Sequence, residues 1–143
     1  MRLTLDLAEM PIAVIHRYLA DESYWARGIP ESVLQRALLN SVCACVLDGT
    51  SLAGFARVVT DRATFAYVCD VFVLPEYRGR GISHQLMRAF ETHPELQGLR
   101  RWMLMTRDAH TLYAQHGFTS LADATRAMER HDPGVYQRAN RNQ

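Results

Sequence analysis

The chain has 143 residues, of which 48% are hydrophobic and 22% charged, with a net charge of +1. That length fits one domain with a sizeable core, and the balanced charge, without a long acidic or basic block, argues against a general nucleic-acid or membrane-surface binder. No apolar run reaches transmembrane length, the N-terminus MRLTLDLAEM lacks a signal-peptide pattern, and three cysteines without metal-like spacing suit a reducing compartment, so a cytoplasmic protein is expected.

A short strand is expected near Arg2 to Leu5, and the spacing of Ile12, Ile15, Tyr18 and Leu19 predicts a helix from about Met10 to Ala20. Asp21 to Ile29 reads as a loop carrying the adjacent aromatics Tyr24 and Trp25. Pro30 and Glu31 suit the first turn of a second helix, reaching about Asn40. Ser41 to Leu47 is apolar on both faces and predicts a buried strand, in which Cys43 and Cys45 are small core residues. Asp48-Gly49 is a hairpin signal. Two further strands, Ser51 to Thr60 and Thr64 to Leu74, join at Asp61-Arg62. A helix over 81–92 follows, then a buried strand from Arg101 to Thr106 and a short helix from Asp108 to His116, stopped by Gly117. Phe118 starts an expected last strand, with a return near Ala127 to Glu129. The expected organisation is one domain over residues 1–143, with 132–143 a loosely held tail. The order predicts an α/β fold: a mixed, mostly antiparallel sheet with helices on both faces.

The chemistry concentrates in the loop between the strand ending at Leu74 and the next helix, Arg78-Gly79-Arg80-Gly81-Ile82-Ser83. Such a loop exposes backbone N–H groups at a helix N-terminus, where the dipole favours an anion, and its arginines add forked donors. A phosphorylated ligand is the physical reading; a plain Gly-Arg turn is the alternative. No lysine makes it a Walker A loop, and His84 occupies the place of the third glycine of a Rossmann fingerprint. Six histidines show no HExxH spacing, so no metal site is expected, and no G-x-S-x-G supports a hydrolase.

The loop resembles motif A of the GNAT superfamily of acetyl-CoA-dependent N-acetyltransferases, [Q/R]-x-x-G-x-[G/A]. Arg78 and Gly81 fill its first and fourth positions, and Ser83 departs from the usual glycine or alanine. Leu112-Tyr113-Ala114-Gln115-His116-Gly117-Phe118 resembles motif B, L-Y-x-x-x-G-F, in the expected order and on the expected element. The resemblance covers about Val42 to Phe118 and looks like a small single-domain member. It implies a sheet whose strands before and after the motif A helix splay apart to admit acetyl-CoA.

By the same resemblance, the amides of Gly79, Arg80, Gly81, Ile82 and Ser83 hold the coenzyme A pyrophosphate, with the Arg78 and Arg80 side chains nearby. Main-chain atoms of Val71, Phe72 and Val73 pair with the pantetheine arm. Tyr113 takes the position that protonates the departing thiolate in many members; the alternative is a tyrosine that only packs on the sheet. Asp70, the carboxylate inside the central strand, is the candidate base, against a structural hydrogen-bonding role. Alternation puts Asp70 on the face of Ala66, Val68 and Phe72, and a two-residue turn at Asp61-Arg62 would leave Arg57 about 13 Å away, too far for an ion pair. Thr106 stands where many members carry an asparagine that contacts the cofactor arm. His110 lies one turn before Tyr113 and reads as a surface or supporting residue.

Tyr24 and Trp25 border the acceptor cleft in such a fold and would stack on an acceptor or cage an ammonium group; the alternative is a hydrophobic plug. The expected activity is direct acetyl transfer to the primary amine of a small molecule, with no nucleic acid or membrane partner and a possible homodimer. Acetylation of a protein N-terminus or lysine, or a non-catalytic acyl-CoA sensor, are the alternatives.

Overall fold

The computed structural model describes residues 1–142. Strands β1 (Arg2–Thr4), β2 (Val42–Asp48), β3 (Ser51–Thr60), β4 (Phe65–Val73) and β5 (Arg101–Leu104) form one sheet in the order of the chain. The first three neighbour pairs are antiparallel; β4 and β5 are parallel. A parallel pair needs a crossover, which is α3 (Ile82–Glu91).

The sheet is covered on both faces because β2 and β3 carry apolar residues at successive positions. Ala44, Val46, Ala56 and Val58 face α3, whose Ile82, Leu86, Met87 and Phe90 are buried. Cys43, Cys45 and Phe55 face α1 (Ile12–Asp21) and α2 (Glu31–Leu39), which bury Ile15, Leu19, Leu34 and Leu38. Each large side chain so buried contributes on the order of 1.5–3 kcal/mol. Gly54 sets how closely α3 lies on the sheet: a Cβ there would stand 2.7 Å from Ile82 Cγ2 and 3.1 Å from the Phe72 carbonyl oxygen.

Two irregularities decide the geometry of β4. The connection from β3 is longer than two residues, because the Asp61 carboxylate accepts the N–H groups of Ala63 and Thr64 and rounds off the loop over 61–64. Arg57 therefore stands opposite Cys69 rather than Ala66. The register also shifts between Phe55 and Arg57, so Asp70 and Val71 together oppose Ala56, and Asp70 sits at φ +54°. This bulge breaks strict alternation. Ala66 and Val68 belong to the α3 face, whereas Phe72 belongs to the α1/α2 face.

The end of the chain differs from expectation. Among the described residues no strand follows β5, and the stretch from Thr119 to Pro133 is exposed. The sequence there, TSLADATRAMERHDP, has no apolar alternation with which to bury a face. Within the expected tail, α5 (Val135–Arg141) returns to the α1–α2 connection, where Asn140 Nδ2 donates to the Gly28 carbonyl at 2.8 Å and Gln137 Nε2 to that of Arg27 at 3.2 Å. Tyr136 packs into the core on that side.

Candidate active site

Pairing of β4 with β5 ends at Val68 and Leu104, yet β4 continues to Val73. Its last residues thus have no strand beside them on the β5 side. A cleft of about 570 Å³ opens there, bounded by Val71, Phe72 and Val73 of β4, the loop before α3, α4 (His110–Ala114) and the α1–α2 connection. Main-chain atoms along such an edge are available to an extended ligand arm with amide groups.

The loop at the N-terminus of α3 supplies the second element. Gly79 and Gly81 take left-handed conformations, φ +79° and +75°, which glycine adopts without strain. Among the described residues, the N–H groups of residues 79 to 84 have no protein acceptor; the first pairing in the helix runs from Gln85 N to the Gly81 carbonyl. A row of unpaired donors at a helix N-terminus fits an anion such as a pyrophosphate. The two arginines diverge. Arg78 lines the cleft, with Nε donating to the Val73 carbonyl at 3.0 Å. Arg80 folds back over the Tyr77 ring, 5.4 Å from its centre, and does not line the cleft.

Tyr113 is 8% exposed and lines the cleft from α4. Burial pushes its phenol up to about 12, with a smaller contribution from Tyr24, so it holds its proton at neutral pH. Its ring packs edge-on against Phe118, the last residue of the second motif. Thr106 does not line the cleft; its hydroxyl accepts the Ala109 N–H at 3.0 Å and shapes the entry to α4. His110 is exposed and also lies off the cleft.

Asp70 is placed differently from expectation. The shifted register brings the Arg57 guanidinium beside it, Nε to Oδ2 at 2.8 Å, so the expected separation of about 13 Å is overturned by the loop and the bulge. The other oxygen accepts the Trp25 indole N–H at 2.8 Å. Asp70 is buried, and it is not among the residues lining the cleft. With both oxygens committed to protein donors, it ties the α1–α2 connection to the sheet. Arg57 also donates to the Ser41 hydroxyl at 3.1 Å, extending the network to the end of α2.

That connection forms the other wall. Tyr24 and Trp25 meet edge to face, 5.1 Å between ring centres. The Tyr24 hydroxyl accepts the Arg107 N–H at 3.2 Å, and the Arg107 guanidinium lies 3.9 Å over the Tyr24 ring. Sequence reasoning singled out the aromatic pair but missed Glu22, His84, Arg107 and Asp108, all of which line the cleft. Glu22 was visible only as part of the same loop, and His84 only as a residue that was not glycine. The thiols of Cys43, buried, and Cys69, partly buried, are each pushed up to about 12 by desolvation, which keeps them protonated at neutral pH.

The architecture and the cleft define an acyltransferase fold, and the comparisons agree. The family model for the acetyltransferase (GNAT) domain matches residues 39–120. The chain belongs to this family. A GNAT-family protein of Xanthomonas campestris pv. campestris, solved by crystallography, is 48% identical, with a TM-score of 0.92 over 94% of this chain and 95% of that one. A Gibberella zeae protein that carries an acetyltransferase assignment is 30% identical over 133 residues, 78% of this chain and 74% of its own length. A Clostridium acetobutylicum protein solved with acetyl-CoA shares the fold, with a TM-score of 0.63 at 15% identity over 91% of this chain and 94% of that one. Acetyl-CoA is the acyl donor of the family, and the unpaired loop donors and the free edge of β4 fit it. Among the described residues no helix is long and apolar enough to cross a membrane, and no cluster of three potential metal ligands occurs.

Proposed function

We propose that the chain transfers an acetyl group from acetyl-CoA directly to the primary amine of a small molecule. The observation that carries this reading is the convergence, in one cleft, of the unpaired N–H groups of residues 79–84, the free edge of β4 and the protonated phenol of Tyr113. Acetyl-CoA supplies the acetyl group as a thioester, whose C–S bond breaks as the C–N bond to the amine forms.

The protein's own contribution is positioning and donation. The loop amides anchor the phosphates, and the edge at Val71 to Val73 aligns the arm so that the thioester meets Tyr113. A phenol near 12 is too weak an acid to give its proton fully to an ordinary thiolate, whose pKa is about 8.5. What Tyr113 offers is an O–H bond aimed at the sulfur as charge develops there, and such donors act most strongly in the transition state. The ammonium gives one proton to solvent before the free amine attacks, and the nitrogen loses a second as the amide forms, which the thiolate takes up. The acceptor side supports a small, flat amine: Tyr24 and Trp25 wall the cleft, each held by a hydrogen bond, and Glu22 and Asp108 offer carboxylates to an approaching ammonium.

The test is thiol release from acetyl-CoA across a panel of small amines, with peptide N-termini and lysine peptides as competitors. Release that depends on a small amine supports the reading. Turnover only with peptides would move the acceptor to proteins. No turnover on any amine, with coenzyme A still raising the melting temperature, would make the chain an acyl-CoA-binding module.

A further inference from the structure

Three side chains outside the machinery described so far form a hydrogen-bonded chain that ends in the cleft. His84, in the first turn of α3, lines the cleft, and its Nδ1 is 2.8 Å from His116 Nε2. His116 Nδ1 is 2.6 Å from Glu91 Oε1. The His116 side chain is 7% exposed and enters from the turn that ends α4, beside the left-handed Gly117. Glu91 lies seven positions after His84 and so on the same side of α3 two turns on, and it does not line the cleft.

The chemistry of the three groups fixes the protons. A carboxylate only accepts, so His116 carries hydrogen on Nδ1. When His116 is neutral its Nε2 is bare and must accept from His84 Nδ1–H, which leaves the Nε2 of a neutral His84 bare as well. One added proton changes this wherever it rests. If His84 takes it, both its nitrogens carry hydrogen. If His116 takes it, His116 Nε2–H donates to His84 Nδ1, and the hydrogen of His84 moves to Nε2. In both cases the ring nitrogen left free of the chain turns from an acceptor into a donor, and Glu91 offsets the charge.

We propose that Glu91, His116 and His84 form a proton-loaded anion handle, in which His84 Nε2 donates to a phosphate oxygen of coenzyme A bound at the loop over 79–84, and that binding takes up one proton. The inference rests on the coenzyme A reading of the cleft. No bond to carbon or sulfur changes: a proton from solvent adds to the imidazole pair, and the phosphate accepts a hydrogen bond. The groups around the chain pull in both directions. Arg78 and Arg80 on the loop, Arg88 on α3, Arg107 on the cleft wall and the helix N-terminus itself oppose an added positive charge. Glu91, Asp108 ahead of α4 and Glu22 on the cleft wall favour it, and the phenol of Tyr113 on α4 is uncharged. An arriving phosphate adds the negative charge that tips the balance.

The experiment is titration calorimetry of coenzyme A, at a pH above the usual histidine range, in two buffers of different ionisation enthalpy, which counts protons taken up. Pantetheine, which lacks phosphates, is the control ligand. The parent should take up close to one proton with coenzyme A and none with pantetheine. His84→Gln should lose the uptake and bind coenzyme A about ten- to a hundredfold more weakly, as befits a lost hydrogen bond to a charged group, with pantetheine unaffected. Glu91→Gln, half-exposed and outside the cleft, should reduce both uptake and affinity by less, and guards against a folding defect at His84. A parent that binds coenzyme A without proton uptake, or a His84→Gln variant that binds it like the parent, overturns the handle alone. A parent that binds no coenzyme A overturns the proposed function together with it.

Discussion

On the α3 side of the cleft most of the binding groups are main-chain atoms, the N–H row of residues 79–84 and the edge of β4 beyond Val68, with the His84 side chain beside them. On the side of the α1–α2 connection they are side chains, Glu22, Tyr24, Trp25 and Arg107, brought together from separate segments. The first wall is set mainly by backbone conformation, with glycines at φ +75° and +79°, and its N–H row does not depend on which side chains flank those glycines. The second is set by which residues happen to face one another. One wall therefore suits a ligand shared by many proteins, and the other is where an acceptor would be chosen.

The sharpest break in this comparison comes from the loop. Gly81→Glu should abolish the rise in melting temperature produced by coenzyme A, because it puts an anion beside the phosphate donors and a side chain on a left-handed residue. A Cβ at Gly81 meets nothing within 4 Å, so the ligand-free fold should survive with modest strain. Gly81→Asn, which tolerates that conformation and adds no charge, should retain part of the shift. Equal shifts in Gly81→Glu and the parent would remove the loop from the binding site.

Next in size is Tyr113→Phe, which keeps the ring against Phe118 and deletes the donor. Turnover should fall about a hundredfold to a thousandfold, as for other donors aimed at developing charge, with coenzyme A affinity nearly unchanged. Because burial holds this phenol near 12, the parent's rate should not fall as the pH rises through 10, where an ordinary tyrosine loses its proton. A decline centred at 10 would show that the phenol in the working complex is not held up by burial. Parent-like turnover in the phenylalanine variant would make Tyr113 a packing residue.

Asp70→Asn tests the seam between the two walls. Removing one partner of a buried ion pair costs about 3–5 kcal/mol, because the other charge is left behind. The loss should appear in the urea midpoint and be largely recovered when Arg57 is also replaced by methionine. At saturating substrates the rate should change little. A stable variant whose rate no longer climbs with pH would instead make Asp70 the base.

How far each wall could be read from the sequence follows from the same contrast. The strand, the Gly-Arg loop, the helix and Tyr113 lie within short stretches where local conformation decides the outcome, and the expected boundaries of β4 and α3 fall within a residue of the observed ones. The Arg57–Asp70 pair was misjudged because two small insertions, the loop over 61–64 and the bulge at Asp70, each move the register of β4 without leaving a hydrophobic pattern. The expected strand after Phe118 rested on position in the chain order rather than on alternation. The docking of α5 depends on amide side chains, Gln137 and Asn140, finding carbonyls more than a hundred residues away. The Glu91–His116–His84 chain leaves no local pattern, since His116 stands at an unspecified position of the second motif while His84 and Glu91 follow the first motif on α3.

The smallest expected effect addresses the acceptor wall alone. The Tyr24 hydroxyl accepts the Arg107 N–H at an exposed site, and the Arg107 guanidinium rests on the same ring. Tyr24→Phe deletes the hydrogen bond and keeps the ring, so stability should drop by about 0.5–1.5 kcal/mol at most. Freed from that tether, the segment at Arg107 is held less firmly against Tyr24, and the acceptor meets a looser wall. The Michaelis constant for the amine should rise by roughly threefold to tenfold, in keeping with the loss of one modest contact, while coenzyme A affinity stays at the parent value. Arg107→Ala should shift the same constant in the same direction, because it removes the cation over the ring. If either variant instead weakens coenzyme A and leaves the amine constant alone, the two walls do not divide the ligands between them, and Tyr24 and Arg107 belong to the donor side of the cleft.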